Sequence, residues 1–239
     1  RIDVCVSGGK DSMLLAKLVQ ELERHGSRNF TAEYICMDPG YNAENLERIK
    51  YNAGLLGIPL NIFRSDVFEA AEMVNADSPC YMCARMRRGC LYARAKELGC
   101  NKIALGHHRS DVIETTLMGM FYGGQVQGMM PRIKSSNFEG MELIRPMYCI
   151  SEEDIEHWRD YNGLHFIACA CSFTQRLADS GQARSVRAEM KELVKEMKRR
   201  NPDVEKSLFR SIHNVQLDTL PGWKSQGVVH SFLERFEDD

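Results

Sequence analysis

No stretch of this 239-residue chain approaches eighteen unbroken apolar residues, so no membrane-spanning helix is expected. No charged start followed by an apolar core and a small-residue cleavage site marks a secretory leader. Internal repeats and low-complexity segments are lacking too. Neither sign of charge dominates: 31 Lys and Arg stand against 33 Asp and Glu, a formal net charge of -2. A globally basic nucleic-acid binder is therefore not advertised. Because Arg1 leads directly into the first apolar run, further residues are expected to precede it in the natural chain, and targeting information would sit there.

Cysteine, by contrast, is plentiful. Nine cysteines form an odd set, in a chain large enough to bury a core without staples. That points to a reducing, cytoplasmic setting in which some thiols bind metal or react. A length of 239 residues suits one α/β domain with a modest appendage. Local basic clusters at Arg85 to Arg88 and Lys198 to Arg200 could still form a patch.

The most informative stretch is Ser7-Gly8-Gly9-Lys10-Asp11-Ser12. It follows the apolar run Ile2 to Val6, read as a buried strand, and precedes apolar positions 14, 15, 18, 19 and 22, one face of a helix. Two glycines at a strand-to-helix junction let the backbone turn and present N–H groups at the positive end of a helix. Lys10 adds a charge, and Ser7 and Ser12 add hydroxyl donors, so the best-fitting ligand is a polyphosphate. A Walker A loop is excluded, because Lys10 is followed by Asp11 after too short a spacer. The hexapeptide resembles the PP-loop of the ATP pyrophosphatase superfamily, whose members hold the β,γ-phosphates of ATP and release pyrophosphate while adenylating a substrate.

Farther on, strands are expected at 32–37, 60–64, 102–106 and 142–147, alternating with helices at 42–56, 84–98 and 111–122 and one starting at Ser151. This alternation predicts a parallel sheet with helices on both faces and ligands beyond the carboxyl ends of its strands. Asp38 falls at such an end, as a nucleotide or metal group or as a turn residue. Gly106, His107 and His108 fall at another. Adjacent histidines diverge at a strand end, so one is expected to line the site and the other to support the fold. Residues 125–140 read as a long loop, either a lid or a surface connection. Phe166 to Cys171 reads as a short strand, helices are expected at 183–200 and 203–215, and the tail reads as irregular.

Cys80-Tyr81-Met82-Cys83 can place two thiolates on one metal or cluster, or form a redox pair. Arg85, Arg87 and Arg88 would lower thiolate pKa values or meet RNA phosphates. Cys169 and Cys171, two apart on an extended strand, would point the same way; two buried thiols in a core strand is the alternative.

Together with Gly106-His107-His108-Arg109, Phe121-Tyr122-Gly123-Gly124 and Ile144-Arg145-Pro146, these stretches resemble the tRNA 2-thiocytidine synthetases over roughly residues 1 to 215. The resemblance implies a PP-loop ATP pyrophosphatase fold, with a catalytic domain over 1–175 and a C-terminal helical extension over 176–239. It also implies ATP-dependent sulfur transfer to a tRNA base through an adenylated intermediate. The implied cofactors are ATP, Mg2+ and a [4Fe-4S] cluster held by Cys80, Cys83 and Cys169, with Cys171 as the alternative ligand. Catalytic roles would fall to Lys10, Asp11 and Asp111. The implied partners are tRNA and a sulfur donor, either a cysteine desulfurase or sulfide, with a homodimer as one admissible assembly. Two departures from the family pattern stand out. Ser110 replaces the first carboxylate of Gly-His-His-Arg-Asp-Asp, leaving Asp111 alone, and the second cysteine pair is Cys169-Ala170-Cys171. Competing readings are a PP-loop enzyme adenylating a small molecule or another RNA base, and a zinc-stabilised nucleotide-binding module using all four cysteines.

Overall fold

A computed structural model describes residues 1–27, 29–65, 79–167 and 186–236, and for 79–85 the backbone alone. The strands are β1 (Ile2–Cys5), β2 (Ala32–Asp38), β3 (Leu60–Arg64), β4 (Lys102–Ala104), β5 (Arg132–Lys134) and β6 (Glu142–Ile144). They form one sheet in the order β3-β2-β1-β4-β6-β5, parallel except for β5. Helices α1 (Lys10–His25), α2 (Ala43–Leu56), α3 (Pro79–Glu97), α4 (Arg109–Phe121) and α5 (Glu152–Tyr161) intervene along the chain. Beyond the sheet lie α6 (Val186–Arg200), α7 (Val204–Ile212) and a hairpin of β7 (Gly222–Ser225) and β8 (Val228–Ser231).

The period-two alternation of β1 splits its side chains between two cores. Val4 and Val6 pack with Met13 and Leu15 of α1, Ile49 of α2 and Ile155 of α5. Cys5 faces the other way, with Tyr92 and Ala95 of α3 and with Ile103 and Leu143. Both faces of the sheet are thus covered, as parallel strands require. A third cluster joins Ile113 and Leu117 of α4 to Met190 of α6, with Leu208 and Phe209 of α7 packed against it. The C-terminal helices therefore dock on α4, one of the helices that frames the ligand edge.

Several expectations are corrected. The 125–140 loop contains β5, an exposed three-residue edge strand too short for its single apolar residue to mark a period; its register is supplied by β6. The tail is not wholly irregular. Gln226 and Gly227, at φ +50° and +84°, turn a two-residue hairpin, and Trp223 stacks on His230 across it, centroids 5.0 Å apart. Helix α3 already includes Pro79, upstream of the expected start at 84, and proline is tolerated in a first helical turn. Helix α4 begins at Arg109 rather than at 111, α7 is shorter than 203–215, and β6 ends at Ile144 rather than 147; α6 covers 186–200 of the expected 183–200, and 183–185 lie outside the described residues. Phe166 and Ile167 are not in a strand, and the remainder of that expected strand, with Cys169 and Cys171, lies outside the described residues. Among the described residues no helix is long and apolar enough to cross a membrane.

Candidate active site

Strand order reverses direction at β1, whose successor β2 lies on one side and β4 on the other. Such a switch point opens a crevice at the carboxyl ends of the strands, and a cavity of about 370 Å³ occupies it. Ser7, Asp11 and Ser12 of the glycine loop line one side, and Gly106, His107 and Asp111 line the other. Arg87 and Arg88 of α3 close a third wall. Ser7, Asp11, Ser12, Arg87, Arg88, Gly106, His107 and Asp111, distant in sequence, thus line one cavity.

The loop is held from within. Ser12 Oγ accepts the Ser7 N–H at 3.1 Å and donates to the Gly9 carbonyl at 3.0 Å. Gly8 has φ +86° and a Cβ there would lie 2.4 Å from Ile49 Cγ1, so the turn admits glycine alone. As at any helix start, the first-turn N–H groups of α1 have no intrahelical partners, and Gly9 at the N-cap brings no side chain to cap them. Gly106 backs onto the same turn: an added Cβ would meet the Asp11 carbonyl and the Ser12 nitrogen at 3.1 Å. The loop and the end of β4 thus form a cradle that a phosphate chain can approach closely.

Lys10 is turned to the other side of the loop, where it lines a neighbouring cavity of about 670 Å³ with Gly9 and Asp11. Its Nζ donates to Asp11 Oδ1 at 2.9 Å and to Glu152 Oε1 at 3.1 Å. Burial pulls the Lys10 pKa down, but its bonds and charge contacts with Asp11 and Glu152 more than reverse this, and it ends above the usual lysine value. Lys191 of α6 donates to the same Glu152 oxygen at 2.8 Å.

Asp111 is gripped at both oxygens. Oδ2 accepts the His108 backbone N–H at 3.0 Å, and Oδ1 accepts Arg187 Nη1 at 3.0 Å. His108 is buried at the head of α4, its Nε2 3.4 Å from Asp111 and 3.8 Å from Asp11, whereas His107 lines the cavity. The two adjacent histidines thus diverge, His108 into the protein and His107 to the cavity wall. Burial lowers the His107 pKa against the opposing pull of Asp111, with Arg145 and Arg187 adding to the fall, so its imidazole is neutral near pH 7.

Asp38 uses Oδ1 to accept the N–H groups of Gly40 and Tyr41, at 2.9 and 2.7 Å; it caps its own turn, and its neighbour Met37 lines the cavity. Ser110, at the position of the missing family carboxylate, donates to Glu205 of α7 at 3.2 Å. Cys80 and Cys83 sit three positions apart at the start of α3, one turn before Arg87. Cys169 and Cys171 lie outside the described residues.

Sequence reasoning missed Glu152, Arg187, Lys191 and Cys5. The first three reach the site only through tertiary packing of α5 and α6. Cys5 was hidden in an apolar run; it lines the cavity and donates its thiol to Asp3 Oδ2 at 3.4 Å.

Residues 1–177 match the family model of the PP-loop domain. Among curated proteins, the chain is 35% identical over 230 residues to a tRNA-cytidine(32) 2-sulfurtransferase of Pelobacter propionicus, covering 95% of this chain and 83% of that one. A protein of the same name from Vibrio vulnificus is 35% identical over 220 residues, 90% and 67% of the two chains. The fold is similar to the U34-tRNA thiolase NcsA of Methanococcus maripaludis, solved with its [4Fe-4S] cluster: TM-score 0.70, 21% identity, 91% of this chain and 74% of that one. Matched by the PP-loop model over 1–177 and by curated relatives at 35% identity over most of its length, the chain belongs to the tRNA 2-thiocytidine synthetase family of PP-loop proteins.

Proposed function

We propose that this protein carries out ATP-dependent transfer of sulfur to a tRNA base, 2-thiolation of cytidine, through an adenylated intermediate. The observation that carries this reading is helix α3, which has Cys80-x-x-Cys83 in its sequence and, about one turn farther on, Arg87 and Arg88 in the wall of the cavity. A thiolate pair and a phosphate cradle on adjoining structure suit a reaction that first activates a carbonyl oxygen and then replaces it with sulfur. The relatives named above act on tRNA-cytidine(32).

In this reaction the C2 carbonyl oxygen of the base attacks the α-phosphorus of ATP, and the bond to pyrophosphate breaks. Sulfide then adds at C2 and the carbon–oxygen bond breaks, releasing AMP. Ser7, Ser12 and the N–H groups around Gly8 and Gly9 hold the phosphates, and Lys10 supplies charge on the adjacent face. Gly106 allows close approach. Asp11 and Asp111 are the carboxylates offered to Mg2+, an ion that characteristically takes one or two carboxylates plus substrate phosphates. His107 is a neutral hydrogen-bonding group at the cavity wall. Arg85, Arg87 and Arg88 counter the charge of RNA and nucleotide phosphates.

The cysteine donor set fits an iron–sulfur cluster, since thiolates are its usual ligands. Cys80, Cys83 and Cys169, with Cys171 as the alternative third ligand, would hold a [4Fe-4S] cluster. When bound, it supplies an open iron position from which sulfide can be delivered. The sulfur comes from a cysteine desulfurase or from sulfide itself.

Anaerobic reconstitution should give about four irons per chain. Incubation with ATP, sulfide and purified tRNA should yield 2-thiocytidine by nucleoside mass spectrometry. Tightly bound zinc without iron would overturn the cluster, and sulfur transfer to a small acceptor in the absence of tRNA would overturn the substrate.

A further inference from the structure

Helix α6 lies outside the sheet, yet two of its cations hold carboxylates at the edge of the site. Arg187 Nη1 donates to Asp111 Oδ1 at 3.0 Å and to Glu114 Oε2 at 3.2 Å, while Nη2 donates to Thr115 Oγ1 at 3.2 Å. One guanidinium thus fixes three residues on the first two turns of α4. One turn later on the same face of α6, Lys191 holds Glu152, the carboxylate that also holds Lys10.

The Asp111 carboxylate has two oxygens and two fixed donors. The His108 backbone N–H sets one, and that donor is local, three residues away. Arg187, 76 residues away, sets the other and so decides the rotation of the carboxylate about its axis. Charge matters as well. Asp111 and Glu114 stand one turn apart at the head of α4, and Glu114 is largely buried; burial raises its pKa while Arg187 opposes the rise. Two carboxylates there would repel an incoming triphosphate unless a cation lies against them.

We propose that Arg187 is a positioning residue of the nucleotide site: it orients Asp111 and neutralises Glu114, making the C-terminal helix α6 part of the ATP-binding machinery. This rests on the reading of the cavity as an ATP site. The guanidinium reaches three acceptors from a planar fork, which a lysine ammonium in its place cannot reproduce. Charge and geometry can therefore be separated by substitution.

The test uses the full chain, purified anaerobically. Equilibrium binding of a fluorescent ATP analogue with Mg2+ gives Kd, and tRNA-dependent ATP–pyrophosphate exchange gives kcat, both well below the melting temperature of every variant. Arg187→Lys keeps the charge and is expected to hold Kd nearly unchanged while kcat falls about tenfold or more, as misplacement of a site group by about an ångström can do. Arg187→Gln is expected to weaken binding as well. Lys195→Ala, an exposed lysine on the same helix paired with Glu192, serves as the control and should match wild type. A fall in kcat below about threefold in Arg187→Lys, with Arg187→Gln binding like wild type, overturns the proposal. Should Arg187→Gln fail to fold, the Lys variant decides alone. Because Kd is read without tRNA, a chain that binds ATP but shows no tRNA-dependent reaction would fail the proposed function, while the Kd of Arg187→Gln against wild type would still decide this inference.

Discussion

The Lys10 ammonium lies 3.1 Å from the Glu152 carboxylate, 142 residues away in sequence, and 2.9 Å from its neighbour Asp11. The lysine of the phosphate loop is thus pre-paired, and an incoming nucleotide must compete with two carboxylates for it. Phosphate carries more charge than either, so the exchange favours the ligand.

Lys10→Met should therefore weaken binding of Mg2+-ATP by about 10- to 100-fold, the value of a charge-assisted hydrogen bond of about 1.5–3 kcal/mol. Isothermal titration with ATP and Mg2+ reads this directly. Lys10→Arg, which retains charge but carries a larger planar head, should fall between the two.

Gly106 and Gly9 make a contrasting pair. A Cβ at Gly106 would press on the backbone of Asp11 and Ser12 at 3.1 Å, whereas one at Gly9 would find Ser7 Oγ at 3.9 Å. Gly106→Ala should cost about 1–3 kcal/mol of stability, as forced overpacking does, and lose nucleotide affinity as β4 is pushed from the loop. Gly9→Ala should leave the melting temperature almost unchanged. Thermal denaturation of both variants checks the difference.

Asp3 is fully buried on β1, and burial pushes its pKa from the ordinary 3.8 to about 7; the hydrogen bond from Cys5 opposes the rise and the charge of Glu33 adds to it. The folded chain therefore binds this proton more tightly than the unfolded one. The contribution to stability is most favourable below the ordinary value, falls as pH rises through the window up to about 7, and is level above it. Asp3→Asn removes the titration, so its melting temperature relative to wild type should climb across that window and then plateau. A flat difference over the same range would show that Asp3 does not titrate there.

The cysteines separate open from closed metal sites. Cys80→Ser or Cys83→Ser should abolish iron retention after anaerobic reconstitution. If Cys169 completes a three-thiolate cluster, Cys169→Ser loses iron and Cys171→Ser keeps it; a four-thiolate zinc site would lose metal in both. Metal content by elemental analysis decides.

The loop residues Ser7, Gly8, Gly9 and Ser12 were legible because their chemistry is local: glycine torsions, hydroxyl donors and a helix start lie within six residues. The parallel sheet was legible because strand and helix periods alternate along the chain. β5 was not, since Arg132-Ile133-Lys134 has no pattern until Leu143 and its neighbours pair with it. The hairpin at 222–231 does carry a local signal, a two-residue Gln226-Gly227 turn ahead of Val228 and Val229.

The sequence by itself determined the phosphate loop, the strand and helix alternation and the candidate cysteines, because each depends on neighbours along the chain. Only the tertiary structure decided that Lys10 turns to Glu152, that Arg87 and Arg88 line the cavity, and that Arg187 holds Asp111. The first and last of these are made by charges meeting across packed helices, and the second by where α3 packs on the sheet. Electrostatic partners are chosen by distance in space, to which separation along the chain is no guide.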